Sequence, residues 1–454
     1  MLTSTTNSQQ IVNARVLANL AVQFNIGADI LAKGNRFIES KLGAENMSGD
    51  TVMVPIVDGG NVFDQLDLSN EDLSVKRDAV PVKVRPLATA AAISQEDLTL
   101  SIKQPEVMGK RVANMALEAS KRAVKCLTAN ALNAFVISTS DITANDGTRG
   151  FVGRNKLYDL FALCEGSKLA GETYGVLHPM VWSKLIAMFQ GNYAPADKVG
   201  GDLYKNELGE LAGIKWSKTN LLKLITGMTI SESISLDFQP TQVGYDVQAP
   251  DSVPTTNPSF TATIANPGNF FPATGNEVGD LSLPFTMADG DGNDVNSTDI
   301  FGNDTGHAAV FHLVATAVSG GAVTAAAFAA PFFFEGARKN VTCAGYVPYD
   351  AATPGTTAQI SLTATNLLSN GVSYLPPALV WKRDDFLVAV KGLEKFFGCD
   401  SMTIPTTYRD KNILPLRGWA WTDPEKAKTL FRVDVLMGMA AYTRTSMNAL
   451  YIQA

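Results

Sequence analysis

The sequence of 454 residues is long enough for two or three domains with substantial cores. Its net charge of −7 is small for this length and argues against a dedicated nucleic-acid-binding protein. The first ten residues, MLTSTTNSQQ, lack the pattern of a signal peptide, and no apolar run reaches the roughly 18 residues of a membrane span. The four cysteines are widely spaced without a CxxC pair, which indicates free thiols. We therefore expect a soluble protein made in a reducing, intracellular compartment.

Residues 1–45 contain an amphipathic stretch, IVNARVLANLAVQFNIG, which predicts an N-terminal arm or a helix docked on the rest. Residues 46–92 then predict a hairpin with strands at Ser48–Val57 and Ala79–Leu87. The second strand alternates between apolar and basic side chains, which are Val80, Val82 and Val84 on one face and Lys83 and Arg85 on the other. Each strand contains proline, so neither is expected in the middle of a sheet.

The tip of this hairpin is acidic. Its charged and turn-forming residues are Asp58, Gly59, Gly60, Asp64, Asp67, Glu71 and Asp72. A lone two-stranded ribbon is marginally stable in water. We therefore expect the ribbon to be an arm that lies on a neighbouring copy of the protein.

The segment Gln104–Val136 predicts one long helix, with Pro105 in the first turn. At 1.5 Å per residue, about 32 residues extend roughly 48 Å. Apolar residues recur every three or four positions and form a stripe of Met108, Val112, Met115, Ala119, Ala123, Cys126 or Leu127, Ala131 and Phe135. The opposite face carries Lys110, Arg111, Lys121, Arg122 and Lys125. This helix is either the central helix of an α+β domain or the spine of an elongated subunit.

A compact α+β module follows from Asn155. It has a helix over residues 155–169, a strand at Thr173–Leu177, a helix from Pro179 through Phe189, and a loop that leads into a strand within residues 208–222.

The charge pattern changes sharply after this module. No lysine or arginine occurs from Leu224 to Ala337, and twelve acidic residues give this stretch a charge of −12. Because the whole chain carries −7, the remainder of the chain carries +5. Short apolar runs with frequent turn residues predict a small β-barrel or sandwich. Because the character of the flanking segments resumes after Val372, residues 225–375 are interpreted as an acidic insert in another domain.

The last part of the sequence returns to longer strands. ALVWKRDDFLVAVKGL predicts a pair of strands or a strand and a turn, and it precedes a loop at Thr403–Leu416. FRVDVLMGMAAYTRTSMNALYI predicts two β-runs hinged around Gly438.

No catalytic or cofactor motif is present. His178 precedes a helix and is interpreted as a cap or surface residue, while His307 and His312 are five apart, a spacing that disfavours a metal pair. The segment Asp289–Asp294 is similar to the opening of a calcium loop, but Asp294 and Ile300 stand where that loop needs glycine and glutamate. We therefore predict no catalytic, cofactor-binding or metal-binding residues and no enzyme. The basic helix face is interpreted as solvated or paired, with phosphate contact as the alternative.

Five segments, taken in order, resemble the major capsid proteins of tailed double-stranded DNA phages with the Hong Kong 97-type fold. They are GDTVMVPIVDGG (49–60), the helix at 105–136, TYGVLHPMVWSKLIAMF (173–189), LAGIKWSKTNLL (211–222) and FRVDVLMGMAAYTRTSMNALYI (431–452). In the last segment Arg432, Gly438 and Arg444 match the family pattern. Met437 and Thr445 depart from it, because an aromatic residue and a proline are common there.

The resemblance implies an α+β, Hong Kong 97-type fold, closest to podovirus coat proteins with an inserted domain. Its expected parts are an N-terminal arm (1–45), an E-loop hairpin (46–92), a peripheral domain with the spine helix (93–150 and 431–454), an axial domain (151–224 and 376–430) and an inserted all-β barrel or sandwich (225–375).

The function implied is a structural subunit that assembles as hexamers and pentamers into an icosahedral shell around packaged double-stranded DNA. The expected partners are further copies of the chain, a portal, possibly scaffolding or decoration proteins, and weak non-specific contacts with DNA, but no membrane. The expected location is the virion, after synthesis in the host cytoplasm. Two alternatives remain: an encapsulin-like nanocompartment, and a β-rich adhesin or tail decoration protein.

Overall fold

The structure is a computed structural model and describes residues 16–38, 47–48, 51–57, 77–94, 104–143, 151–167, 169–189, 210–226, 232–239, 259–262, 282–288, 292–298, 304–320, 322–328, 341–342, 358–368, 371–391, 400–403, 407–408, 411–423 and 428–454. The chain divides into two compact units. Unit 1 comprises Met1–Ala123 and Phe386–Tyr442, and unit 2 comprises Val124–Asp385 and Thr443–Ala454.

The helices of the described ranges are α1 (16–27), α2 (Asp29–Ala32), α3 (Gln104–Asn130), α4 (Thr139–Thr143), α5 (Phe151–Gly166) and α6 (Pro179–Phe189). A short 3-10 turn occupies Arg383–Asp385.

The strands that precede α3 are β1 (Asn35–Ile38), β2 (Met47–Ser48), β3 (Thr51–Val57), β4 (Arg77–Lys83) and β5 (Arg85–Ser94). Those between α3 and residue 219 are β6 (Asn133–Ile137), β7 (Thr173–Leu177), β8 (Glu210–Leu211) and β9 (Ile214–Lys218). Those of residues 225–374 are β10 (Ile225–Thr226), β11 (Glu232–Gln239), β12 (Ser259–Ala262), β13 (Ser282–Ala288), β14 (Asn296–Thr298), β15 (Asp304–Ala308), β16 (Phe311–Ser319), β17 (Ala322–Phe328), β18 (Val341–Thr342), β19 (Ala358–Asn366) and β20 (Ser373–Tyr374). The remaining strands are β21 (Ala378–Lys382), β22 (Phe386–Lys391), β23 (Asp400–Thr403), β24 (Thr407–Tyr408), β25 (Lys411–Asn412), β26 (Arg417–Asp423), β27 (Lys428–Ala441) and β28 (Asn448–Ile452).

Unit 1 is built on a sheet in which β27 is central. Strand β5 pairs with one side of β27, while β26 and then β22 pair with the other side. Strand β1 extends the sheet in parallel beside β22, and β23 extends it beside β26. Helix α1 buries Leu17, Leu20, Ala21 and Phe24. The side chain of Asn25 accepts a hydrogen bond from the Leu414 N–H at 3.1 Å, so residues 16–27 are a docked helix rather than an extended arm.

The ribbon of β3 and β4 corrects one expectation. Its strands are paired antiparallel from Thr51↔Lys83 to Val57↔Arg77, and the valines predicted to share a face are buried. They pack with Leu387 and Ala389 of β22 in the same unit. The described part of the ribbon therefore rests on its own sheet, and it needs no neighbouring copy to cover its apolar face.

Helix α3 begins where the sequence predicts and ends earlier. The predicted stripe is buried at Met108, Val112, Met115, Ala119, Ala123 and Leu127. The helix stops at Asn130, and Phe135 and Val136 belong to β6. The prediction of a helix through Val136 was wrong because β-branched and aromatic residues over 133–137 pair with β28 instead.

The predicted hinge at Gly438 is also wrong. Gly438 lies inside β27, where a Cβ atom would come within 2.4 Å of the Lys83 carbonyl oxygen. Glycine is thus explained by the close approach of β4, and not by a bend. The break between the two β-runs falls at residues 442–447, where Arg444 has a φ of 66°.

Unit 2 contains a six-stranded sheet in the order β6-β28-β21-β7-β9-β8. Strand β28 is parallel to β6 and antiparallel to β21. Helices α5 and α6 share a core with this sheet, formed by residues that include Leu157, Leu160, Val181, Leu185 and Trp216. The sequence predictions for β7 and α6 are confirmed at both ends of each element.

Within residues 225–374, every described helix or strand element is a strand. The ends of this stretch pair through Ile225↔Tyr374 and Thr226↔Ser373. Six strands form a sheet in the order β12-β11-β19-β13-β16-β17, and its two outer strands also contact each other, so the sheet is curved. Three further strands form the sheet β15-β14-β18.

Candidate assembly site

The connection between β3 and β4 is much longer than a hairpin requires. The last paired residues, Val57 and Arg77, are directly opposite each other, yet 19 residues, 58–76, separate them. Two residues suffice to join antiparallel strands, so a connection of this length points to a separate role. The acidic residues predicted for the tip fall in this segment, which lies outside the described residues.

The basic face of α3 lies beside β5. The Arg111 Nη1 donates a hydrogen bond to the Ala90 carbonyl oxygen at 2.5 Å, and the Arg122 Nη2 donates to the Pro86 carbonyl oxygen at 3.4 Å. Lys121 and Arg122 also lie within 3.8 and 4.0 Å of the Glu118 carboxylate. Among the described strands β5 pairs only with β27. The two arginines therefore satisfy carbonyl groups on the free edge of β5, the position at which a foreign strand would add.

Replacing both arginines, Arg111→Ala with Arg122→Ala, should expose this edge and increase self-association. We expect a rise in light scattering and thioflavin fluorescence on mild heating, with helical content retained. The matched control is Lys110→Ala with Lys121→Ala on the same helix, which changes the charge equally. Equal aggregation of both double variants would contradict the edge-protecting role.

The three histidines are placed apart from one another. His178 is a helix cap, as predicted, because its Nδ1 accepts a hydrogen bond from the Met180 N–H at 3.2 Å. His307 is exposed, with its ring 6.5 Å from that of Phe135, whereas His312 is fully buried. Within the described ranges, no group of three or more His, Cys, Asp or Glu side chains is arranged to hold a metal ion. Of the acidic loop, residues 289–291 lie outside the described residues and Asp294 is exposed.

A buried carboxylate organises the turn before β28. Asp385 is 0% exposed, and its carboxylate accepts five hydrogen bonds from residues 443–446. Its Oδ1 accepts from the Thr443 and Arg444 N–H groups, each at 2.8 Å, and its Oδ2 accepts from the Ser446 hydroxyl at 2.7 Å. These bonds hold Arg444 in the left-handed conformation that residues other than glycine rarely adopt.

The end of α3 is capped by groups from distant parts of the sequence. The Asn130 carbonyl oxygen accepts from Arg444 Nε at 3.2 Å. The Ala131 oxygen is 3.2 Å from His312 Nε2, and the Leu132 oxygen accepts from the Val310 N–H at 2.7 Å. The last carbonyl groups of a helix have no partner within it, so Arg444 satisfies the Asn130 oxygen, while His312 and Val310 serve the oxygens of the two buried residues that follow the helix.

Amide side chains connect β14, β6 and β28. The Ser297 hydroxyl donates to Asn133 Oδ1 at 2.9 Å, and Asn133 Nδ2 donates to Asn448 Oδ1 at 2.9 Å. Asn448 Nδ2 in turn lies 3.2 Å from the Cys164 sulfur. Burial raises the pKa of Cys164 to about 12, which keeps this thiol protonated. Cys126 and Cys164 are free, as predicted, and the other two cysteines lie outside the described residues.

Beside this network, Lys382 and Glu165 join β21 to α5. The Lys382 Nζ donates to Glu165 Oε2 at 2.9 Å, and the Lys382 N–H donates to the Ser446 hydroxyl at 3.0 Å. Burial alone would raise the pKa of Glu165, but hydrogen bonds from Lys382 and Thr173 hold it below its usual value.

We expect His312 to make the stability of the protein depend on pH. Burial, reinforced by the positive charge of Arg444, lowers the pKa of His312 from 6.5 to about 3. Between pH 3 and pH 6.5 the folded state thus binds fewer protons at His312 than the unfolded state does. The contribution of His312 to the free energy of unfolding is therefore fully present above pH 6.5 and is lost as the pH decreases toward 3. The expected loss is up to about 1.4 kcal/mol per pH unit.

Urea denaturation at pH 7 and pH 5 will measure this effect. His312→Gln, whose amide can still donate to the Ala131 oxygen, should reduce the difference in unfolding free energy between the two pH values. His307→Gln, at the exposed histidine, should leave the difference unchanged. An unchanged difference in His312→Gln would show that other groups cause the pH dependence.

This network was missed at the level of sequence. The polar run Thr443–Asn448 between apolar runs is a turn signal, but its partner Asp385 lies 58 residues earlier. Nothing in the local pattern of WKRDDF distinguishes Asp385 from Asp384 next to it.

None of the described helices has both the length and the apolar character needed to cross a membrane.

No protein-family model matches the sequence, and no curated protein matches it either. Among solved structures, the chain is similar to the capsid of Cyanophage P-SCSP1u, with 10% identity over 92% of this chain and 86% of that one, and a TM-score of 0.38. It is also similar to the mature capsid of bacteriophage PhiM1, with 8% identity over 92% and 86% of the chains and a TM-score of 0.36. A virus-like particle from Pyrococcus furiosus gives 8% identity over 96% and 97% and a TM-score of 0.35.

Proposed function

We propose that this protein is a shell-forming major capsid protein of a tailed double-stranded DNA phage. The observation that carries the proposal is the paired ribbon of β3 and β4, which bears a 19-residue connection where two residues would suffice. The same chain follows the ribbon with a 27-residue helix, α3. A segment that its own strands do not require is available for contact with another copy.

In this function residues 46–92 are the E-loop, and residues 58–76 contact the adjacent subunit. Both sheets join strands that the sequence divided between a peripheral domain (93–150 and 431–454) and an axial domain (151–224 and 376–430), because β28 pairs with β21 and β27 pairs with β22. We therefore assign the peripheral role to unit 1, which contains most of α3, and the axial role to unit 2. Copies assemble as hexamers and pentamers into an icosahedral shell that encloses DNA in the virion. A portal completes the shell, and scaffolding or decoration proteins take part in its assembly.

Residues 225–375 serve in this proposal as an inserted β-domain that steadies the subunit. Support comes from the hydrogen bonds that His312 and Val310 make to the carbonyl groups after α3, and from the Ser297–Asn133 bond. Contacts with DNA are weak and independent of base sequence. Arg111 and Arg122 are engaged with β5, which reduces their part in such contacts.

Size-exclusion chromatography and negative-stain electron microscopy of the expressed protein test the function. We expect a high-mass assembly that appears as closed or partly closed shells. A monomer or trimer, with no assembly on addition of candidate scaffolding proteins, would instead favour an adhesin or decoration protein. Nuclease treatment and analysis of the contents of particles from infected cells separate a capsid, which holds DNA, from an encapsulin-like compartment, which holds cargo protein.

A further inference from the structure

Strand β28 follows every other described element in sequence, yet it lies inside the sheet of unit 2. It pairs in parallel with β6 from Asn448↔Asn133 to Ile452↔Ile137. On its other side it pairs with β21 from Asn448↔Val380 to Leu450↔Ala378. All five of its residues are buried. The sheet is therefore divided into two parts until this strand is in place.

The flanking backbone also binds this segment at both ends. The Leu132 N–H donates to the Met447 carbonyl oxygen at 2.8 Å, and the Gln453 N–H donates to the Ile137 oxygen at 2.9 Å. On the opposite side, the Leu375 N–H donates to the Ile452 oxygen at 2.8 Å. The gap between β6 and β21 is thus lined by backbone donors and acceptors over the whole length of β28.

Two polar contacts set the register. Asp385 binds the turn at residues 443–446, and Asn133 binds Asn448 within the otherwise apolar strand. A shift of one residue would turn Asn448 away from Asn133 and reverse the faces of all five side chains. The site therefore selects an apolar strand with one asparagine, preceded by a turn rich in hydroxyl groups.

We infer that the gap between β6 and β21 is a strand-binding site for the segment Thr443–Ala454, and that binding of this segment is the step that completes unit 2. Asp385 is the positioning residue of this site. The parallel pairing of β28 with β6 joins Asn448 to Asn133, which is 315 positions earlier in the sequence. Because contacts between such distant residues are slow to form, this pairing forms late in folding, after the intervening elements. The inference is independent of whether the subunit builds a shell.

The boundary of the units makes the site accessible to experiment. Unit 1 ends at Tyr442, so removal of residues 443–454 takes residues from unit 2 alone. Residues 1–442 are co-expressed with a tagged segment 443–454, so that the two pieces together make the full chain. We expect 1–442 to be recovered on the tag in soluble form, and to be insoluble or protease-sensitive without it.

Variants of the tagged segment test specificity. Ser446→Ala with Asn448→Ala removes groups bound by Asp385 and Asn133 and should weaken retention at least about tenfold. The control is Ala454→Ser, which changes an exposed side chain beyond the strand. Failure of the tag to retain 1–442, or equal retention of every variant, would overturn the inference, as would a fully stable 1–442 without the segment.

The full-length protein supplies a second measurement that does not depend on fragments. Asp385→Asn keeps the shape of the side chain but replaces one acceptor oxygen with a donor. We expect amide hydrogen exchange in residues 443–452 to accelerate at least about tenfold, because the turn loses buried acceptors. Asp159→Asn, at an exposed site on α5, is the matched control. Unchanged exchange in Asp385→Asn would show that Asp385 does not position the strand.

Discussion

Replacing residues 58–76 with Asn-Gly is expected to abolish shell formation and leave a folded subunit. Val57 and Arg77 are directly paired, so two residues in a type I′ turn can join β3 to β4. The valines of the ribbon keep their contacts with Leu387 and Ala389, which preserves unit 1. What is lost is the acidic connection, which in the proposed function contacts the adjacent subunit.

Circular dichroism and thermal denaturation will measure folding of this variant, and size-exclusion chromatography with electron microscopy will measure assembly. A Gly/Ser linker of 19 residues is the matched control for length, and should also fail to assemble if the native side chains make the contact. Normal particles from the Asn-Gly variant would contradict the proposed role of the segment.

The second large effect is expected from Asp385→Ala. This change removes five hydrogen bonds and leaves the Thr443, Arg444 and Ser446 N–H groups buried without their acceptor. It also removes the negative charge beside the buried guanidinium of Arg444. Burial lowers the pKa of Arg444 to about 10, and the charge of Asp385 opposes this decrease. The expected loss of unfolding free energy is about 3–5 kcal/mol.

Urea denaturation followed by tryptophan fluorescence reports this loss, since Trp182, Trp216 and Trp381 all lie in unit 2. Asp159→Ala, at an exposed position on α5, should change the free energy by no more than about 0.5 kcal/mol. A loss below about 1 kcal/mol in Asp385→Ala would mean that water replaces the carboxylate and that the turn is not closed to solvent.

Elements whose ends depend on local chemistry were predictable from the sequence. Pro179 at the first position of α6 follows the capping His178, and the prediction of this helix is right at both ends. The start of α3 beside Pro105 is likewise right. In each case the residues that begin the element are adjacent in sequence, so the pattern contains the information.

Features determined by distant residues were not predictable. Helix α3 ends at Asn130 because residues 133–137 pair with β28, and because Arg444, His312 and Val310 bind the carbonyl groups of residues 130–132. Gly438 was interpreted as a hinge, but glycine is needed there because β4 approaches too closely to leave room for a Cβ atom. Asp385, the centre of the buried network, gave no signal at all.

The pairing of β10 with β20 brings together the two ends of the stretch that the proposed function treats as an inserted domain. Because Thr226 and Ser373 are neighbours, an unrelated domain with adjacent termini can be grafted between them, as in a display platform. The graft must bring its own donors for the oxygens of Ala131 and Leu132, which His312 and Val310 now serve. A replacement chosen only for the spacing of its ends would leave these two oxygens, in the buried link between α3 and β6, without their donors.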